Sequence, residues 1–547
     1  MPTLLLALVS ALLLAAPVRA MEQGPLVAYT SPIDSRVDVA TNPACAIQGV
    51  CDDATSTCSA GLVGTTCQTA SDCVPRLNTC RFVIQTMAPE VVIAAKLDGK
   101  PLDVLVPRAA GVSATIEVPL QGGRKRNRLK IVATATVDGR VIRQRNVFRF
   151  TPIPHIRYRP MPARFGVPGD QARLLELVAA ADTRAIREHA WTIWAGLTAR
   201  TPERYNGKRL PVFETWFSGS ELYDANPYAC DAVDARPYAR DFEKPLQLHH
   251  HGGGLPNEQV TGFNRFNRAT TEHVCANQYN LASTLDTLNA SFTPATPIAE
   301  RKIVDFPRAA MALKPVFTPI AGAGITILPY WNGPTASTNL VNPTPDTWTQ
   351  CVAVVPPGTA KPASPTPCSC NGTATTCEVV GLDRMYAFAL TAAELADMSE
   401  NSSLAGAPLK PGDYAALMAM HVTSKEIDRW TWQTFWWTPN PEESPAGDFR
   451  PASVKREFRN YAMCTAWSMS GPPESPTGPP DVCFNPWLET GLEGLDGVQS
   501  NCMTCHRLAA WPNFSTGYQA NGFIGPDDPI FANATKLDFL WSVTRAQ

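Results

Sequence analysis

Near the end of the 547-residue chain, two cysteines and a histidine stand together as Cys502-Met503-Thr504-Cys505-His506. Thiols three residues apart lie one above the other on a helix face. So placed, they can add to two vinyl groups of one porphyrin, and the histidine that follows can bind its iron from below. This C-x-x-C-H spacing is the attachment signature for covalent haem c, with His506 as the proximal ligand. A lone C-x-x-C has two other chemistries, a disulfide or half of a zinc site. Zinc would require two further Cys or His ligands at similar spacing.

An iron with two protein ligands needs a second donor. The tail from Arg507 to Gln547 contains no Met, His or Cys, so a donor of a common type must come from before the motif. His421 is the candidate distal ligand, with Met463 and Met469 as alternatives. The apolar run from Tyr414 to Met420 reads as a strand. Thr423-Ser424-Lys425-Glu426 has the form of a capping box and predicts a helix running to Trp437, which places His421 at a junction. Trp430, Trp432, Phe435, Trp436 and Trp437 would lie on that helix, where they could cover a porphyrin face or simply build a core. Ser500 or Asn501 can cap a helix opening at Cys502, and Pro512 should stop it by Trp511. Cys464 and Cys483 are expected to pair and stiffen the approach to the motif.

Such a short helix cannot bury a porphyrin alone, so the rest of the chain must build the pocket. Residues 1–20 read as a secretory signal: an apolar stretch from Leu4 to Ala16, then Pro17-Val18-Arg19-Ala20. No other segment has an uninterrupted apolar run of membrane-spanning length. Residues 21–82 form a module rich in cysteine (Cys45, Cys51, Cys58, Cys67, Cys73 and Cys80) with little apolar material, where disulfides would substitute for a core. Residues 83–152 predict an immunoglobulin-like β-sandwich with turns at Asp98-Gly99 and Asp138-Gly139. That module would contact a surface or partner, or serve as a spacer. From 153 to 547 the pattern is mixed, helical over Asp170–Leu197 and Pro-rich with short strands over about 290–380. Cys351, Cys368, Cys370 and Cys377 suggest two local disulfides there. The expected fold is therefore multidomain, mixed α and β: a disulfide-rich module, a small β-sandwich and a large α+β haem-bearing region ending in the C-x-x-C-H helix.

Other chemistry is thinner. His249-His250-His251 beside three glycines could ligate a metal with His273, Asp231 or Asp234, or could simply be exposed. The formal charge is −2, or −3 once Arg19 is removed with the signal, and no long basic run points to nucleic acid. Fourteen cysteines remain after subtracting the motif pair from sixteen, an even number that suits an oxidising compartment. A soluble, exported, periplasmic protein is expected.

Through Cys502, Cys505 and His506 the chain resembles the c-type cytochromes. More broadly it looks like large exported monohaem members of that group, through His189–Trp194, Pro211–Trp216, Met420–Trp437 and Asn501–Trp511. The likeness covers about residues 160–547. It implies one covalent haem c and the carriage of single electrons between redox partner proteins. The alternative is a haem-dependent redox enzyme or ligand sensor with an open iron position.

Overall fold

In a computed structural model the chain forms two compact units, residues 1–155 and 156–547. Before 156 the structure describes residues 27–29, 36–38, 50–52, 57–60, 79–86, 91–97, 100–102, 113–119, 127–137, 140–151 and 155. From 156 onward it describes all but 224–229, 231–234, 239, 241, 243–259, 334–336, 340–342, 402–403, 405–407, 444–446, 470–482, 490–498, 513–521 and 547. The signal-like segment and the His249–His251 run lie outside these residues, as do the side chains of the six cysteines between 45 and 80. The fold is mixed α/β, with several sheets and few helices among the described residues. No described helix is long and apolar enough to cross a membrane.

The first unit is built of strands. One sheet orders 27–29, 79–86 and 113–119; a second orders 36–38, 140–151, 127–137, 92–97 and 100–102. Strands 127–137 and 140–151 pair antiparallel from Val137 opposite Arg140, and 92–97 meets 100–102 at Leu97 opposite Lys100. These pairs flank the Asp98-Gly99 and Asp138-Gly139 positions where turns were expected, which lie outside the described residues. Along the first of these strands, Leu129, Ile131, Ala133 and Ala135 are buried, the alternation of a sheet with one covered face. The strand Thr79–Thr86 runs across residue 82, and strands 27–29 and 36–38 join the two sheets. The cysteine-rich segment and the β-segment thus share their sheets.

The second unit is organised on an eight-stranded antiparallel sheet. Its central members are β1 (Met311–Ile320), β2 (Tyr414–Ser424), β3 (Thr431–Trp437) and β4 (Tyr461–Thr465), in that spatial order. The unit opens with helices α1 (Gln171–Ala179), capped by Asp170 accepting from the Arg173 N–H, and α2 (Thr183–Leu197), capped by Asp182 accepting from the Ala185 N–H. The helical pattern over 170–197 is broken by Ala181, in the left-handed region at φ 51°. Helix α2 buries Ile186, Trp191, Trp194 and Leu197, and Trp194 stacks on Phe435 of β3 at 4.3 Å between ring centres. A contact of this kind contributes about 0.5–1.5 kcal/mol beyond the area it buries.

The segment 423–437 corrects the sequence reading. It is a tight hairpin, β2 to β3, and not a capped helix. Glu426, the residue that would close the capping box, accepts from the Gly169 N–H at 2.6 Å and contacts His189 Nε2 at 3.0 Å. With that carboxylate engaged elsewhere, the helix start loses its reciprocal bond. Thr431, Trp432, Phe435, Trp436 and Trp437 then follow the β preference of branched and aromatic side chains in a strand buried on both faces. Trp430 takes φ 63° to make the turn.

Candidate cofactor site

The motif opens helix α3 (Cys502–Arg507). Asn501 caps it, its Oδ1 accepting from the N–H groups of Met503 and Thr504, while its Nδ2 donates to the Ser468 carbonyl. The helix was expected to reach Trp511 but ends at Arg507, because Ala510–Trp511 pairs as a short strand with Thr535–Lys536. The segment before α3 is tied to the sheet by the Cys464–Cys483 disulfide, and the Cys483 N–H donates to the Ser500 carbonyl. Four disulfides join the other cysteines of this unit: Cys230–Cys275, Cys351–Cys370, Cys368–Cys377 and Cys464–Cys483. Cys502 and Cys505, by contrast, stand as thiols.

A cleft open to solvent lies between α3, the C-terminal segment and one face of the sheet, with a cavity of about 130 Å³. Cys502, Cys505 and His506 line it, and so does His421. The strand register explains His421. It lies opposite Thr434 of β3, which in turn faces Cys464 of β4, so the three share the cleft side. Met463 pairs with Phe435, one residue out of step, and therefore belongs to the face that packs on Trp191 and Trp194. Met469 is buried without lining the cleft. The geometry thus gathers His421 with the motif and leaves both methionines outside. Of the five clustered aromatics only Trp432 lines the cleft, 4.1 Å between ring centres from His506.

The imidazoles have assigned partners. His506 Nδ1 lies 2.9 Å from the Phe539 carbonyl oxygen, which can only accept, so the proton sits on Nδ1 and Nε2 carries the lone pair. Burial pushes this imidazole down to about 4, aided by the positive charge of Lys314 and opposed by the Phe539 bond, so the ring is neutral at pH 7. His421 Nδ1 is 2.8 Å from Thr434 Oγ1, a hydroxyl that also accepts from Asn485 Nδ2 at 2.6 Å. Burial, then Lys314 and His506, hold His421 well below its ordinary value. Its Nε2 sits 3.4 Å from Glu489, whose carboxyl is pushed up to about 8 by burial despite a hydrogen bond from the Asn485 N–H. Both groups are neutral near pH 7, so this is a contact of uncharged partners and not an ion pair.

The donor set fits a covalently held haem. Two thiols one turn apart precede a neutral imidazole whose hydrogen bond to the Phe539 carbonyl leaves Nε2 available, the kind of bond that fixes the tautomer and ring orientation of metal-binding histidines. Zinc or thiol exchange suits the site less well. Exchange needs a thiolate, and burial, followed by Glu489 and Cys505, raises the Cys502 thiol well above its usual value; a structural zinc needs four ligands, more than the motif supplies. Among the described residues no three His, Cys, Asp or Glu converge as a metal cage. His273 instead contacts the Val304 carbonyl at 3.0 Å. Glu489, Lys314 and Trp541 line the cleft although no local motif marks them. Comparison with protein-family models, with curated proteins and with solved structures finds no match to the chain.

Proposed function

We propose that this chain is an exported monohaem c-type cytochrome that accepts and passes on single electrons between protein partners. The observation that carries the reading is the convergence of Cys502, Cys505, His506 and His421 on one cleft. Attachment adds each thiol across a vinyl C=C: a C–S bond forms, the thiol hydrogen goes to the neighbouring carbon, and no electron acceptor is consumed. Haem, when bound, supplies a one-electron iron couple. His506 would present Nε2 as proximal ligand, held by Phe539. His421 would present Nε2 from the middle of a buried strand, held by Thr434 through Nδ1. The sheet and the Cys464–Cys483 disulfide keep both imidazoles in place, as rigid support for a redox site requires. Disulfides in the same unit support an oxidising compartment, for which the periplasm is the proposed location.

A second reading rests on the Glu489 contact. If His421 stays with Glu489 instead of binding iron, the distal side is open and suits a redox enzyme or ligand sensor. Carbon monoxide added to the reduced protein separates the two. No spectral change supports two protein ligands and electron carriage; rapid binding supports the open site.

A further inference from the structure

We propose that the end of the cleft at Lys314 is an anion-recognising subsite that receives the haem propionates, with Asn264, Ser542 and Thr544 as neutral donors. The inference rests on the haem reading above. It begins with the order of residues across the sheet. On the cleft face, Cys464, Thr434, His421 and Lys314 stand in cross-strand register on β4, β3, β2 and β1. Three strand intervals at ≈ 4.8 Å separate the first from the last by about 14 Å. The motif lies at the Cys464 side: Cys464 is bonded to Cys483, whose carbonyl lies 4.0 Å from Cys502 Sγ. Asn264 lies beyond Lys314, between the short strands Thr261–Gly262 and Arg265–Phe266 that pair with β1.

The chemistry of the macrocycle has the same polarity. Haem carries its two vinyl groups and its two propionates on opposite edges, so anchoring the vinyl edge at Cys502 and Cys505 directs the carboxylates away from them. Lys314 is the half-buried exception in a strand otherwise buried throughout, and it lines the cleft. An ammonium on a flexible stem is a suitable point charge for a carboxylate. The amide of Asn264 and the hydroxyls of Ser542 and Thr544 are donors that can complete such a site. The one carboxyl among the lining residues, Glu489, touches His421, the cross-strand neighbour of Lys314, and influences Cys502.

The test uses full-length protein made in a host that matures c-type cytochromes. Haem staining after denaturing electrophoresis reports attachment, and resonance Raman spectroscopy reports the propionate bending bands and the low-spin markers separately. Lys314→Gln should keep covalent haem and the low-spin markers while moving the propionate bands. It should also shift the reduction equilibrium about tenfold toward the oxidised form, the order expected when one charge ~10 Å away is lost at an effective dielectric of about 20. Lys314→Arg should restore both. Unchanged propionate bands in Lys314→Gln with haem attached would overturn the subsite and leave the haem reading standing. If Lys314→Gln yields no holoprotein, Asn264→Ala and Thr544→Val carry the test: moved bands support the subsite and unmoved bands overturn it. Wild-type protein without covalent haem would end both readings.

Discussion

His506 gives its Nδ1 proton to the carbonyl oxygen of Phe539, 2.9 Å away, and so keeps its other nitrogen for the cleft. The acceptor is backbone, on a C-terminal segment that also reaches α3 through Trp541 Nε1, which donates to the Cys505 carbonyl at 3.3 Å. A side-chain substitution at 539 therefore leaves the bond possible. The tautomer is set by the fold, which is why the short helix of the motif depends on residues more than thirty positions downstream.

The two kinds of distal ligand make different spectra. His421→Ala should convert the oxidised protein from low-spin to high-spin and let the reduced form bind carbon monoxide. Met463→Ala and Met469→Ala should leave the low-spin spectrum unchanged, because neither side chain lines the cleft. Optical spectra of the three variants decide between the ligands; a methionine variant that turns high-spin would contradict the sheet-face assignment.

The Cys464–Cys483 bridge closes a chain separation of 19 residues beside the motif. Replacing both cysteines by alanine should cost about 3 kcal/mol, the loop-entropy value for a closure of roughly this length. Urea unfolding of the oxidised holoprotein measures it. A loss much below 1 kcal/mol would mean that the cleft wall is held by packing alone.

Several of these features were legible in the sequence, for local reasons. The motif with its Asn501 cap, the helical pattern over 170–197 and the neighbouring cysteines around 351–377 all involve partners within about a score of residues. The hairpin at 423–437 was not legible, because its competitor was a sound local signal. Glu426 would cap a helix, yet it is taken by Gly169, 257 positions earlier. Lys314 and Glu489 enter the cleft only through strand register and a loop bonded to it. The Cys230–Cys275 bridge likewise joins residues 45 apart with no motif between them.

Away from the cleft, Arg240 is fully buried between two carboxylates. It donates to Glu214 at 2.6 Å and to Glu394 at 2.8 Å, and Tyr238 and Tyr386 also donate to Glu214. Arg240→Met removes the cation and leaves both acids in the core. The expected loss is about 3–5 kcal/mol, the cost of orphaning a buried charge. Combining it with Glu214→Gln and Glu394→Gln should recover a large part of that loss. Thermal unfolding of the variants reads the difference, and an additive triple variant would contradict the coupling.

Lys536 provides a pH test outside the cleft. Burial, then Arg507, Lys302 and Arg301, pushes its ammonium down to about 8, while its Nζ donates to the Ile298 carbonyl. Between about pH 8 and 10.5 the unfolded chain holds a proton that the folded chain has released. Its contribution to stability therefore rises with pH across that window and is least favourable below 8. Lys536→Met should flatten this rise, so its stability relative to wild type is greatest at pH 7–8 and declines by pH 10. Denaturant titrations at these pH values test it; a parallel profile would contradict the depressed lysine.

The most direct measurement is acid–acetone extraction of the purified protein from a host competent in cytochrome maturation, followed by a pyridine haemochrome count. Retained colour equal to one covalent haem per chain is predicted, with none in the Cys502→Ala, Cys505→Ala double variant. Colour that extracts completely, or a colourless wild-type protein, would contradict the account.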